Sequence, residues 1–300
     1  MICKVKGYFF FYLPILVPNN PHCMSSPSCL NCNTTLDQSS RFCPVCGQKT
    51  DTHRLSFKHI IHDFFHAFTH ADKSIFGLLR DLAIKPGIVA KEYIAGKRKK
   101  YFNPFTFFLI LAGLFVLSNK YFTSESTPAK PDGEILARMP GQAARDQYVM
   151  MFTRGAEING FLTRHSNIVS MFAVPVFGFV TWLFFRRNRY NFAENVTANL
   201  LFVSFSNIIF TILIYPLLGQ ARGNQGAYYS ILMMGILLQM IYLSWCYFQF
   251  QPNDSRFRLP KAIGLSLLGL FLWQVIYMLV ISVYIYRDLN FYKFFVRMFS

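Results

Sequence analysis

Five windows of the chain, 101–119, 165–185, 195–221, 223–253 and 262–286, contain no Asp, Glu, Lys or Arg. Each holds a helix of about 20 residues, the length that crosses a hydrocarbon core of about 30 Å. A Lys, Arg or Asp at the centre of such a helix would cost about 2.5–3.5 kcal/mol on the insertion scale, and none stands there. The pattern predicts an α-helical integral membrane protein. Its membrane part is a roughly five-helix transmembrane bundle over 101–300, with spans near 102–120, 166–185, 196–218, 228–250 and 262–286. Asn103-Pro104 supplies an N-cap and a first-turn proline for the first of them.

Ahead of the bundle the pattern changes. Phe57, Ile61, Phe64, Phe65, Phe68, Ile75, Leu79 and Leu82 largely recur every three or four positions, which predicts an amphipathic helical connector over 51–100. Pro86-Gly87 interrupts it, and a short helix from Ile88 to Ala95 ends on Gly96, a residue suited to a C-terminal cap. Such a segment is expected to lie along the membrane interface, with packing against the bundle as the other arrangement. Residues 1–23 form an apolar leader (GYFFFYLPILVP from Gly7 to Pro18) without a small-residue cleavage pattern. This predicts that translation starts at Met24, with a membrane-inserted leader as the alternative.

Composition agrees with the pattern. Hydrophobic residues make up 53% and charged residues 15%, against roughly 25% charged in a globular chain. The net charge of +16 does not mark a nucleic-acid binder, because the basic residues gather at the ends of the apolar windows. Lys97, Arg98, Lys99 and Lys100 precede the first window, Arg186, Arg187 and Arg189 follow the second, and Arg256, Arg258 and Lys261 separate the last two. By the positive-inside rule these places are cytoplasmic. The loop 120–164, with six basic and five acidic residues, is translocatable. An odd number of spans puts the C-terminus outside, although Arg287, Lys293 and Arg297 fit that side poorly. The Lys97–Lys100 run is also placed to meet anionic lipid headgroups.

The clearest chemical signal lies in residues 24–50. Cys29-Leu30-Asn31-Cys32 is followed after ten residues by Cys43-Pro44-Val45-Cys46-Gly47. Each CxxC turn can present two sulfurs to one ion, so Cys29, Cys32, Cys43 and Cys46 are expected to hold Zn²⁺ in a zinc ribbon. Gly47 permits the positive φ that ends such a turn. A module this small has no core of its own, so the metal would hold it together, contributing about 10–16 kcal/mol. Four thiolates leave no open position, which makes the site structural. A redox or disulfide role is the rival. Cys246 reads as a small buried group inside a span, and Cys3 and Cys23 have no regular spacing to the others.

Two weaker constellations stand beside it. His59, His62, His66 and His70, with Asp63, share the polar side of the connector; a solvated face is the plain reading, a second metal site or a pH-responsive contact the sharper ones. The third span carries Asn199, Ser204, Ser206 and Asn207, with Glu194 at its mouth. Such groups serve interhelical hydrogen bonds or, alternatively, line a pathway. No nucleophile–base pair, phosphate-cradling glycine loop or HExxH-type site occurs, so an enzyme is not expected.

Over about 29–118 the chain resembles a family of uncharacterised bacterial membrane proteins. The resemblance rests on Cys29, Cys32, Phe42-Cys43, Cys46-Gly47-Gln48, His70 with Asp72, Pro86-Gly87, Glu92 to Arg98, and Tyr101 through Phe105 (YFNPF). It implies an N-terminal zinc ribbon, a short amphipathic region and a multi-span C-terminal half, with no activity attached. The family often has a histidine after the acid that opens the third span; here Glu194 is followed by Asn195. The expected function is a non-enzymatic inner-membrane adaptor or assembly factor, its cytoplasmic ribbon meeting a protein partner. The alternative is a transporter or channel for a small or lipidic substrate.

Overall fold

The structure, a computed structural model, describes residues 28–37, 40–52, 54–55, 75–123, 131–185, 190–221, 223–251 and 257–287. The leader, Met24, Cys3, Cys23, the His59/His62/His66/His70 face and the Arg186–Arg189 cluster lie outside the described residues. The chain divides into two compact units, Met1–His53 and Arg54–Ser300.

The first unit has no strand among its described residues, only the isolated antiparallel bridges Ser28↔Thr35 and Phe42↔Lys49. Each bridge closes one CxxC loop. The second unit is helical: α1 Ile75–Ile84, α2 Pro86–Ile94, α3 Pro104–Thr123, α4 Gly133–Arg138, α5 Gln142–Arg164, α6 Ser166–Phe185, α7 Phe192–Ile209, α8 Tyr215–Gln220, α9 Gln225–Phe250 and α10 Arg258–Tyr286. A π-helical turn, Phe210–Ile214, joins α7 to α8 without a break.

Among the described residues, five segments are long and apolar enough to cross a membrane: Arg98–Phe122, Ile168–Phe185, Phe192–Gln220, Gln225–Phe250 and Arg258–Tyr286. The chain is therefore a multi-pass membrane protein, as its hydropathy predicts. The segment Phe192–Gln220 is the most enclosed, with 44% of its apolar window buried, and Arg258–Tyr286 the least, with 11%. The first of these is the hub of the bundle. Outward-facing Leu117, Phe172, Ile212, Ile241 and Phe271 supply the apolar coat that lipid requires.

Between helices in lipid there is no hydrophobic driving force, so close packing and interhelical hydrogen bonds must hold the bundle. Both are present. Gly178 of α6 touches α7 so closely that a Cβ there would lie 2.7 Å from Val196 Cγ2. Asn199 of α7 donates to Thr181 Oγ1 of α6 at 2.8 Å and accepts from Tyr247 Oη of α9 at 2.8 Å, so one buried amide joins three helices. Ser244 and Ser266 link α9 to α10 at 2.7 Å.

The described part of the connector packs against the bundle. Val89 and Ala90 are fully buried, Gly87 N–H donates to Gln249 Oε1 at 3.2 Å, and Tyr242 Oη donates to the Leu82 carbonyl at 3.3 Å. Phe76, Ile84 and Ile88 stay exposed. Within the loop 120–164, residues 131–164 are mostly helical, which its charge balance does not suggest. It contains the 23-residue helix α5, whose Arg154 donates to the Ile285 carbonyl at 2.9 Å. Only Ile158 and Leu162 of α5 are buried, too few to leave an amphipathic signature in the sequence.

Candidate functional site

Cys29, Cys32, Cys43 and Cys46 come together as their spacing predicts. All four sulfurs lie within 4.8 Å of one another. Two short approaches run between the loops, Cys29 to Cys46 at 3.5 Å and Cys32 to Cys43 at 3.6 Å. Zinc–sulfur bonds of about 2.3 Å in a tetrahedron imply sulfur–sulfur edges of about 3.8 Å, so the cluster has the dimensions of a four-thiolate metal site. No disulfide joins these cysteines.

Two near-equivalent backbone loops build the cluster. Asn33 N–H donates to the Cys29 carbonyl at 2.9 Å, and Cys29 N–H to the Thr34 carbonyl at 2.8 Å. In the second loop Gly47 N–H donates to the Cys43 carbonyl at 2.9 Å, and Cys43 N–H to the Gln48 carbonyl at 2.8 Å. The residue after each second cysteine is left-handed, with φ 59° at Asn33 and 68° at Gly47. Asparagine is among the few residues besides glycine that visit this region routinely, which is why the first loop manages without glycine.

Cys29 and Cys43 are buried, Cys32 is exposed and Cys46 half-exposed. Burial pushes the Cys29 thiol up to about 11, while hydrogen bonding from Thr34 draws Cys32 down to about 6. As free thiols Cys29 and Cys32 would ionise unequally; a bound cation takes its sulfur ligands as thiolates. The site can bind and hold. With four sulfurs around one ion it offers no position for a substrate.

In the second unit, charged side chains gather where α6 ends, α7 begins, α9 ends and α10 begins. Arg54 grips Glu194 with two bonds, Nε to Oε1 at 2.7 Å and Nη2 to Oε2 at 3.0 Å. Glu194 is 3% exposed and also accepts from Asn191 N–H at 2.7 Å, while Asn191 Oδ1 accepts from Glu194 N–H at 2.8 Å. That reciprocal pair is the capping box of α7. Asn191 Nδ2 further donates to the Leu55 carbonyl at 2.9 Å. Glu194 is thus a helix cap and the counter-ion of Arg54.

The Lys97–Lys100 turn is partly neutralised from within. Glu92 accepts from Lys97 at 3.1 Å, Lys100 at 2.5 Å and Tyr101 Oη at 2.5 Å. Partial burial opposes ionisation of Glu92, but these three donors outweigh it and hold its carboxyl down to about 2. Lys91 donates to the Gln251 carbonyl at 2.9 Å; burial and the nearby Arg258 charge lower its proton affinity. Asn103 caps α3 as its sequence predicts, accepting from Phe105 N–H at 2.9 Å. Gly96, at φ 102°, ends α2.

The polar residues of the third span separate into two groups. Asn199 makes the three-helix tie, and Ser204 bonds the Leu200 carbonyl of its own helix. Asn207 instead borders a cavity of about 320 Å³, where it meets Asn119 of α3, Ser166 and Ser170 of α6, and Trp273 of α10. Among the described residues, neither the Asn207 Nδ2 nor the Ser166 Oγ has a hydrogen-bond partner. The sequence marks Asn207 as polar within a span; that α3, α6, α7, α9 and α10 leave space around it is visible only in three dimensions.

Residues 72–116 match a family described as "Protein of unknown function (DUF3667)". That segment covers α1, α2, the basic turn and most of α3. No curated protein and no solved structure matches the chain.

Proposed function

We propose that this chain is a non-enzymatic adaptor or assembly factor of a bacterial inner membrane, with a structural Zn²⁺ in a cytoplasmic ribbon. One observation carries the reading: the four-sulfur cluster is closed, yet large apolar side chains on its second loop face solvent. Phe42 is 60% exposed and Val45 69% exposed. A metal that only holds two loops in shape, beneath exposed apolar tips, suits recognition of a protein partner better than chemistry. The reducing cytoplasm would keep four thiols free for metal. The basic residues Lys91, Lys97, Arg98, Lys99, Lys100, Arg258 and Lys261 belong to one end of the bundle, which the positive-inside rule assigns to the cytoplasm. Their charge suits anionic headgroups there, tempered by Glu92.

Crosslinking followed by affinity purification from native membranes tests this. A stoichiometric partner should be recovered with the unaltered chain and lost with both Cys43→Ser and Val45→Asp, the second of which keeps its metal. Recovery of the same partner with Val45→Asp, or of none with the unaltered chain, would refute the adaptor role.

A second reading, a carrier or channel for a small or lipidic substrate, is favoured by the cavity beside Asn207. Against a continuous channel, the opposite end of the bundle is filled by Phe185, Phe202, Tyr247 and Phe250, all at most 1% exposed. Substrate-dependent flux in liposomes separates the two readings.

A further inference from the structure

The cavity beside Asn207 has three features that belong together. Its wall carries two polar groups that no described residue answers, the Asn207 Nδ2 and the Ser166 hydroxyl, on residues 6% and 9% exposed. An unpaired buried polar group costs about 1–3 kcal/mol, so two around one void ask for an occupant. The rest of the wall sets Phe115, Phe177, Phe210 and Trp273 beside uncharged polar residues such as Ser170 and Gln239, and among the described residues no Asp, Glu, Lys, Arg or His lines it. Both groups can donate, so the complementary ligand offers an accepting oxygen and no charge.

The third feature is the π-helical turn that begins at Phe210, directly on the cavity wall. Tyr215 N–H bonds the Phe210 carbonyl in the i→i+5 manner. One residue on, Pro216 has no N–H to give the Thr211 carbonyl, and Ser118 Oγ from α3 donates to it instead at 2.7 Å. Thr211 Oγ1 in turn bonds the Asn207 carbonyl at 2.8 Å. The irregular turn is therefore fixed by side chains of its own helix and of α3. It widens the helix where Phe210 and Tyr215 meet the cavity, and such turns recur at functional sites.

We infer that this cavity is a binding pocket for a neutral, lipid-soluble molecule whose carbonyl oxygen accepts from Asn207 and Ser166 while its hydrocarbon body lies against the aromatic wall. The inference goes beyond the adaptor reading. It stands whether or not the chain carries anything across the bilayer, because occupancy requires no passage. Two sources share this chemistry: a free carbonyl-bearing ring, and the acyl ester of a neutral lipid.

Trp273 provides the readout. In a Trp182→Phe/Trp245→Phe background held in phosphatidylcholine nanodiscs, its fluorescence is titrated separately with decyl-benzoquinone and with 1-octanoylglycerol. A saturable change with either probe is expected, and the responding probe names the source. Asn207→Leu should weaken binding about tenfold, the loss of one buried hydrogen bond, and Ala173→Phe should abolish it by filling the space. Helical circular dichroism and the melting temperature of each variant show that the bundle is intact, and Asn207→Leu should melt no lower than its parent without probe. A response to both probes that only rises linearly with their membrane concentration, or that is unchanged in both variants, would show a cavity holding water alone and overturn the proposal.

Discussion

Arg54 and Glu194 stand 140 positions apart in sequence, and their side chains meet through two hydrogen bonds at 2.7 and 3.0 Å. Arg54 is half-exposed and Glu194 almost fully enclosed, with side-chain exposures of 55% and 4%. The acid therefore depends on the arginine more than the arginine depends on the acid. Glu194 raises the proton affinity of Arg54 further, so the cation persists at any ordinary pH.

Removing Arg54 should strand a buried carboxylate. Arg54→Ala is expected to destabilise the bundle by about 1–3 kcal/mol, and Glu194→Gln added to it should return much of that loss, because a neutral amide tolerates the site better. Denaturant melts of the single and double variants in detergent measure the coupling. Strictly additive effects would show that the two side chains act independently.

The Glu92 cluster makes a pH prediction with a definite sign. Its carboxyl is held down to about 2 in the folded chain, against about 4.3 in an unfolded one. A depressed acid stabilises the fold above its unfolded value, and that contribution fades as pH falls from about 4.3 toward 2. The melting-temperature advantage of the unaltered chain over Glu92→Gln should thus be level above about pH 5 and shrink in more acid solution. An advantage that grows on acidification would contradict the assignment.

Gly87 is a contact where no side chain fits. A Cβ there would lie 2.4 Å from Phe250 N and 2.6 Å from the Gln249 carbonyl carbon, both backbone atoms of α9. Gly87→Ala should cost at least about 1–3 kcal/mol, the range for overpacking, and loosen α2 from α9, read as faster amide hydrogen exchange over 86–94. Gly113→Ala is the control. Nothing lies within 4 Å of that position, so the alanine should leave stability unchanged or slightly raised.

The π turn gives a paired test. Ser118→Ala leaves the Thr211 carbonyl without the donor that Pro216 cannot supply, and should destabilise by about 0.6 kcal/mol, the average for interhelical bonds in membranes, and by no more than about 1.7 kcal/mol. Pro216→Ala restores a backbone N–H, so the double variant should melt higher than Ser118→Ala alone. Equal melting of the two would mean that the turn has another origin.

What the sequence made legible was local or periodic. The five apolar windows give the spans, because an uninterrupted run of hydrocarbon length has few other homes. Asn103-Pro104 announces a helix start, and Gly96 a helix end. The CxxC spacing brings Cys29, Cys32, Cys43 and Cys46 together because each turn is closed by its own backbone. The long-range features were hidden for the same reason. Glu194 reads as an acid at the mouth of a span until Arg54 is seen against it. Asn199 and Asn207 carry the same side chain in the same helix, yet one ties three helices and the other borders a void. Only their neighbours on α3, α6, α9 and α10 distinguish them.

The account turns on the metal. Native mass spectrometry of protein purified gently, without chelator, reads the ion bound per chain and its identity. One zinc ion per chain is expected, reduced or lost on replacing any of Cys29, Cys32, Cys43 or Cys46 with serine, and unaffected by Cys246→Ser. A metal-free chain, or an ion whose retention does not depend on those four sulfurs, would contradict it.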